Sequence, residues 1–120
     1  MIINLTPHPI VLHCDRGGII TLAPSGVIAR VAETIIPSDG PGLVAGGAEH
    51  IPLVRKSFGG VVDLPYPEYD VSYVVSAIVA AAAWAAGRND VYCPGDVVRD
   101  DQGRVIGCRS LCARPDDSNR

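Results

Sequence analysis

The ten consecutive apolar residues Ala77 to Ala86, seven of them alanine, constrain this chain more than any other stretch. Alanine has the highest intrinsic helix propensity, Ser76 suits an N-cap, and Gly87 suits the left-handed position past a helix end. The run therefore predicts one helix, Ser76 to Gly87. With no polar side chain on any face, it also predicts a central helix enclosed by the rest of the chain. It falls short of the ~20 apolar residues needed to cross a bilayer. Met1 to Pro9 lacks the basic start and apolar stretch of a secretory signal. The expectation is a soluble protein of a cytoplasm.

Around this helix the chain reads as short strands. Ile2 to Thr6, Ile10 to His13, Ile19 to Leu22 and Val27 to Val31 are extended segments, separated by Asp15-Arg16-Gly17-Gly18 and Pro24-Ser25-Gly26, which suit turns. This pattern predicts a β-meander. Pro37 to Gly60 is rich in Gly and Pro without a steady period and reads as a long loop. Val61 to Leu64 and Val71 to Val75 read as further strands. Val97 to Arg99 and Arg104 to Cys108 flank Asp100-Asp101-Gln102-Gly103 and predict a closing hairpin. At 120 residues and 48% hydrophobic, the chain can build one core. The expected fold class is α+β, a curved, mostly antiparallel sheet or small open β-barrel packed on the Ala-rich helix. Residues 1–112 form a single domain in this reading, and 113–120 a disordered tail.

A net charge of −3, from 10 basic and 13 acidic residues, gives no basic footprint for nucleic-acid polymers or anionic membranes. Cys14, Cys93, Cys108 and Cys112 read as reduced thiols in a chain without an export signal. The C-x3-C spacing of Cys108 and Cys112 lacks a second pair to complete a zinc site. His8, His13 and His50 stand alone and read as packing or capping residues, so neither metal nor cofactor is expected. No G-x-S-x-G, H-E-x-x-H or P-loop is present, and the reading leans away from an enzyme. A nucleophile–base pair assembled in space from Cys93 or Ser76 with His8, His13 or His50 stays open.

Three constellations suit ligand binding instead. Asn4, Thr6 and His8 alternate and would share one face of an extended strand. Ser76 opens a helix whose free N–H groups and dipole suit an anion, although capping alone explains it equally well. Arg30, Arg88, Arg99 and Arg109 stand at element ends, where guanidinium forks suit phosphate or carboxylate; internal partners such as Asp90, Asp96 and Asp100 compete for them.

Asn4-Leu5-Thr6-Pro7-His8, Pro24-Ser25-Gly26 with Arg30-Val31, Tyr73-Val74-Val75-Ser76, and Arg88-Asn89-Asp90-Val91 through Pro94-Gly95 to Val98-Arg99-Asp100 resemble a family of small proteins from bacteriophages and actinobacterial or other bacterial genomes. The resemblance spans Ile2 to Leu111 and weakens across Pro37 to Gly60. It implies a phage setting in a bacterial cytoplasm, where small proteins often act as counter-defence factors, including sponges for immune signalling nucleotides. The leading expectation is a non-enzymatic binder of a small anionic, nucleotide-like ligand, such as a cyclic nucleotide, using Asn4, Thr6, His8, Arg30, Ser76, Arg88 and Arg109. The alternatives are a small hydrolase of a nucleotide-like substrate with His8 as base, and a structural or protein-interaction module. Homo-oligomerisation fits the first and third.

Overall fold

The computed structural model describes residues 1–115, so most of the expected tail lies outside the described residues. Twelve strands and one helix follow in the order β1 (Ile2–Asn4), β2 (Ile10–His13), β3 (Ile19–Leu22), β4 (Arg30–Pro37), β5 (Leu43–Gly46), β6 (Glu49–Ile51), β7 (Val54–Val62), β8 (Ser72–Val74), α1 (Ala77–Ala85), β9 (Val91–Pro94), β10 (Val97–Arg99), β11 (Val105–Cys108) and β12 (Leu111–Cys112). The α+β expectation holds. The body consists of two four-stranded sheets rather than a closed barrel, ordered β1-β8-β9-β12 and β10-β11-β2-β3.

β8 organises the body. Tyr73, Val74 and Val75 are each at most 1% exposed, so the strand is buried on both faces. Because side chains alternate along a strand, Tyr73 and Val75 join one cluster with Leu5, Val79, Ala80, Ala83 and Val91, while Val74 joins another with Ile10 and Cys108. The first sheet is thereby sandwiched between α1 and the second sheet. β8 pairs in parallel with both β1 and β9, and α1 is the crossover that parallel pairing of β8 and β9 requires. Trp84 fastens the crossover, its Nε1 donating to the Val91 carbonyl at 2.9 Å.

α1 ends as the sequence dictates. Gly87 adopts φ +96°, its N–H donates to Trp84 O, and the Arg88 N–H donates to Ala83 O, the two hydrogen bonds of a Schellman motif. Enclosure of the helix does not hold. Val79, Ala80 and Ala83 are buried, but Ile78 is 49% exposed, and Ala77, Ala81 and Ala85 are exposed as well. The first sheet and the roots of β4 and β7 cover one side of α1, and no described element covers the other.

The predicted meander reduces to β2–β3, which pair antiparallel from Ile10↔Leu22 to His13↔Ile19. The segment Val27 to Ala29 is not a strand, and the next strand begins at Arg30. The closing hairpin β10–β11 forms as expected, with Asp100 Oδ1 accepting the N–H groups of Gln102 and Arg104 across its turn.

Pro37 to Gly60 is the largest departure from the sequence reading. It is not a loop: β4 and β7 pair over their full lengths as an antiparallel ribbon, and β5–β6 form a second hairpin at its end. At the root, Val31 and Val61 pack against the core. Beyond them the register slips, Val31↔Val61 being followed by Glu33↔Phe58, so Gly59-Gly60 form a bulge that turns the ribbon away. No residue from Ala32 to Gly60 is buried. Among the described residues no helix is long and apolar enough to cross a membrane.

Candidate functional site

The N-terminal motif builds a turn rather than a strand face. β1 ends at Asn4, and the Asn4 side chain, 2% exposed, has every hydrogen-bonding position filled. Its Nδ2 donates to the carbonyls of His8 at 2.9 Å and Leu22 at 3.0 Å. Its Oδ1 accepts the Thr6 N–H at 2.9 Å and the Thr6 hydroxyl at 2.7 Å. A buried amide makes at most these four bonds, so Asn4 has none left for a ligand. It ties residues 4–8 to the end of β3, where the Ser25 N–H also reaches the Asn4 carbonyl. His8 contributes its carbonyl to this turn while its side chain lies exposed, so the expected row of three polar side chains is not assembled.

Arg88 is likewise an internal fastener. Its Nε and Nη2 grip the two oxygens of Asp90 at 2.8 Å each, and Nη2 also donates to Pro65 O at 2.9 Å. Its guanidinium lies 6.0 Å from the centre of the Tyr73 ring, within cation–π range. Hydrogen bonding from Arg88 holds the Asp90 carboxyl below the usual range against the opposing effect of burial. Burial, with the charges of Glu68 and Asp90, pushes the Tyr73 phenol up, so that it stays protonated and can donate to Tyr66 O. This bidentate pair joins the end of α1, the start of β9 and the Pro65–Tyr66 segment.

Ser76 differs from both. It sits at the α1 N-terminus in an extended conformation, makes no side-chain cap hydrogen bond, and the first turn carries no acidic residue. The residue is exposed. Arg30 and Arg109 are exposed too, and among the described residues neither forms a salt bridge.

The clefts do not gather these groups. One, about 340 Å³, is lined by Pro9, Ile10, Val97, Val105 and Ile106 among others. Another, of about 370 Å³, is bordered by Ser72, Arg88, Asn89, Asp90 and Tyr92. Of the seven expected ligand residues, Arg88 alone borders any of the four clefts described, and it is already paired. Cys93 and Cys112 face each other across β9–β12, and all four cysteines are free thiols. Burial pushes the Cys93 thiol up, opposite to the direction that activates a nucleophile. No cluster of three or more His, Cys, Asp or Glu side chains that could hold a metal occurs among the described residues.

Sequence reasoning missed the apolar arm side chains Ile35, Ile36, Val54 and Phe58. Their signal was two β-branched or aromatic runs flanking a Gly- and Pro-rich centre. Comparison with known protein families, characterised proteins and solved structures finds no match to this chain.

Proposed function

We propose that the chain is a non-enzymatic binder of a small anionic, nucleotide-like ligand, acting as a phage counter-defence sponge for an immune signalling nucleotide in the bacterial cytoplasm. The observation that carries this reading is the uncommitted end of α1: an exposed Ser76 hydroxyl that caps nothing, on a helix with no acid in its first turn. Helix N-termini attract anions through free N–H groups and the aligned dipole. Of the expected arginines, Arg30 and Arg109 are exposed and outside any salt bridge among the described residues, and with Thr6 and His8 they complete the proposed ligand set. Asn4 and Arg88 support the scaffold instead.

The test is a thermal-shift series with cyclic and linear nucleotides on wild type and Ser76→Ala. A ligand selective for the native state raises the melting temperature. Ser76→Ala should weaken binding while changing stability by less than about 0.5 kcal/mol, because no cap bond is lost. A flat response to every nucleotide overturns the reading. Unaltered nucleotide recovered after denaturation distinguishes a sponge from a hydrolase.

The second reading, a protein-interaction module, is favoured by the apolar arm formed by β4 and β7.

A further inference from the structure

We propose that the β4–β7 arm is a self-association arm whose apolar surface is covered by a second copy of this chain. This rests on the interaction reading of the arm and names its partner.

The ladder fixes what each face presents. Glu33↔Phe58, Ile35↔Lys56 and Pro37↔Val54 alternate with Thr34↔Ser57 and Ile36↔Arg55, so Ile35, Val54 and Phe58 share one face. The Glu33–Lys56 ion pair, 3.2 Å, lies on that same face. The face is thus apolar and electrically neutral, and two copies can approach it without like-charge repulsion. The tip continues the theme, with Leu43 opposite Ile51. Ile35, Ile36, Leu43, Val44, Ile51, Leu53, Val54 and Phe58 are all between 41% and 69% exposed. They lie on both faces of the ribbon and on its tip, and together bare on the order of 800 Å², the share that each partner contributes to a stable protein–protein interface, so a partner that uses all of it must wrap the arm.

The chain's own body does not cover this surface. The molecule measures 58 × 39 × 37 Å, with a radius of gyration of 18.5 Å. A compact chain of this length would have about 14 Å. A two-stranded ribbon without a supporting layer is marginal in water, so it gains stability from a cover. A second copy is a cover available wherever the chain itself is. Permanent interfaces between identical chains are also the most apolar class, resembling a core cut in half. The body offers further uncovered apolar surface. One part is the bare side of α1 with Ile78, and another is the cleft where Val97, Val105 and Ile106 are 45%, 55% and 47% exposed.

The test measures the mass of the full chain by sedimentation across a wide dilution series, with hydrogen exchange on the same samples. Wild type should give twice 12.6 kDa or a higher whole multiple. Arm amides should be protected in the assembled fraction and lose protection on dilution. Ile35→Glu with Phe58→Glu should raise the dissociation constant by roughly a hundred-fold or more. Trp84 fluorescence should stay unchanged in this variant, showing that the body remains folded. An oligomer equally stable in the double variant overturns the proposal. A wild-type monomer with freely exchanging arm amides also overturns it, and leaves the interaction reading to a different partner. A monomer whose arm amides are protected at every dilution overturns both, because the ribbon would then be self-sufficient.

Discussion

β8 and β7 are both rich in β-branched and aromatic residues, yet they hold their conformation for different reasons. β8 has three residues and is buried on both faces between α1 and the second sheet. β7 has nine, of which Val61 alone is even half-buried. A ladder of hydrogen bonds is common to both. Net stabilisation from one such bond is only about 1 kcal/mol, because water competes for the same groups. Burial of apolar area, at roughly 25 cal/mol per Å², is what separates a strand that anchors a fold from one that projects from it. The body and the arm should accordingly behave as separate cooperative units.

The comparison breaks most easily at a matched aromatic pair. Tyr73→Ala should cost about 3 to 5 kcal/mol in denaturant unfolding, since it opens a cavity between α1 and the sheet and strips Arg88 of its aromatic neighbour. Phe58→Ala should cost less than about 1 kcal/mol in the monomeric state, because its ring is already 53% exposed. Equal losses would mean that the arm is part of the core.

The Arg88–Asp90 fastener belongs to the body and should show it through pH. Asp90→Asn should destabilise by about 1.5 to 3 kcal/mol near neutrality, the range for hydrogen bonds to charged groups. The folded-state carboxyl lies below its ordinary value. Its stabilisation is therefore fully present above the unfolded value of about 4 and disappears as pH falls through the folded value. Acid titration of wild-type stability should show that loss, and the Asp90→Asn curve should be flatter over the same window.

Legibility from sequence follows local chemistry. Where turn or helix-forming residues punctuate the chain, the pattern was readable: β2 and β3 have the predicted bounds, the β10–β11 hairpin forms around its polar turn, and the Ala-rich run is the helix. The arm was hidden because neither face is buried, so nothing imposed an alternating pattern between Pro37 and Gly60. Parallel pairing of β1 with β8 joins residues about seventy positions apart and leaves no local mark. The role of Asn4 was equally invisible, because it depends on the Leu22 carbonyl arriving from a different strand. At α1 the composition misled, since apolar residues all round implied enclosure that one chain does not supply.

That last point sharpens into a pair of overpacking substitutions. Ala83 is fully buried against the sheet, so Ala83→Leu should cost about 1 to 3 kcal/mol. Ala81 faces outward, and Ala81→Leu should change monomer stability by less than about 0.5 kcal/mol. Thermal unfolding of both variants checks this. A large loss at Ala81 would require an unseen layer over α1.

The smallest global effect should come from the glycine position least tolerant of a side chain. Gly42 adopts φ +79°, and a Cβ there would fall on the carbonyl of Ile51 across the β5–β6 hairpin. Gly42→Ala therefore adds a steric clash to an unfavourable backbone conformation, and the hairpin must open or shift. If the arm is a separate unit, that disruption stops at the Gly59-Gly60 bulge. Hydrogen exchange should show faster exchange across Leu43 to Ile51, while amides of β8 and β9 keep their protection. The unfolding midpoint of the body should move by an amount equivalent to less than about 0.5 kcal/mol. A fall in protection at Val74 or Val91 would show that strain at the tip reaches the core, and the body and arm would then be one cooperative unit.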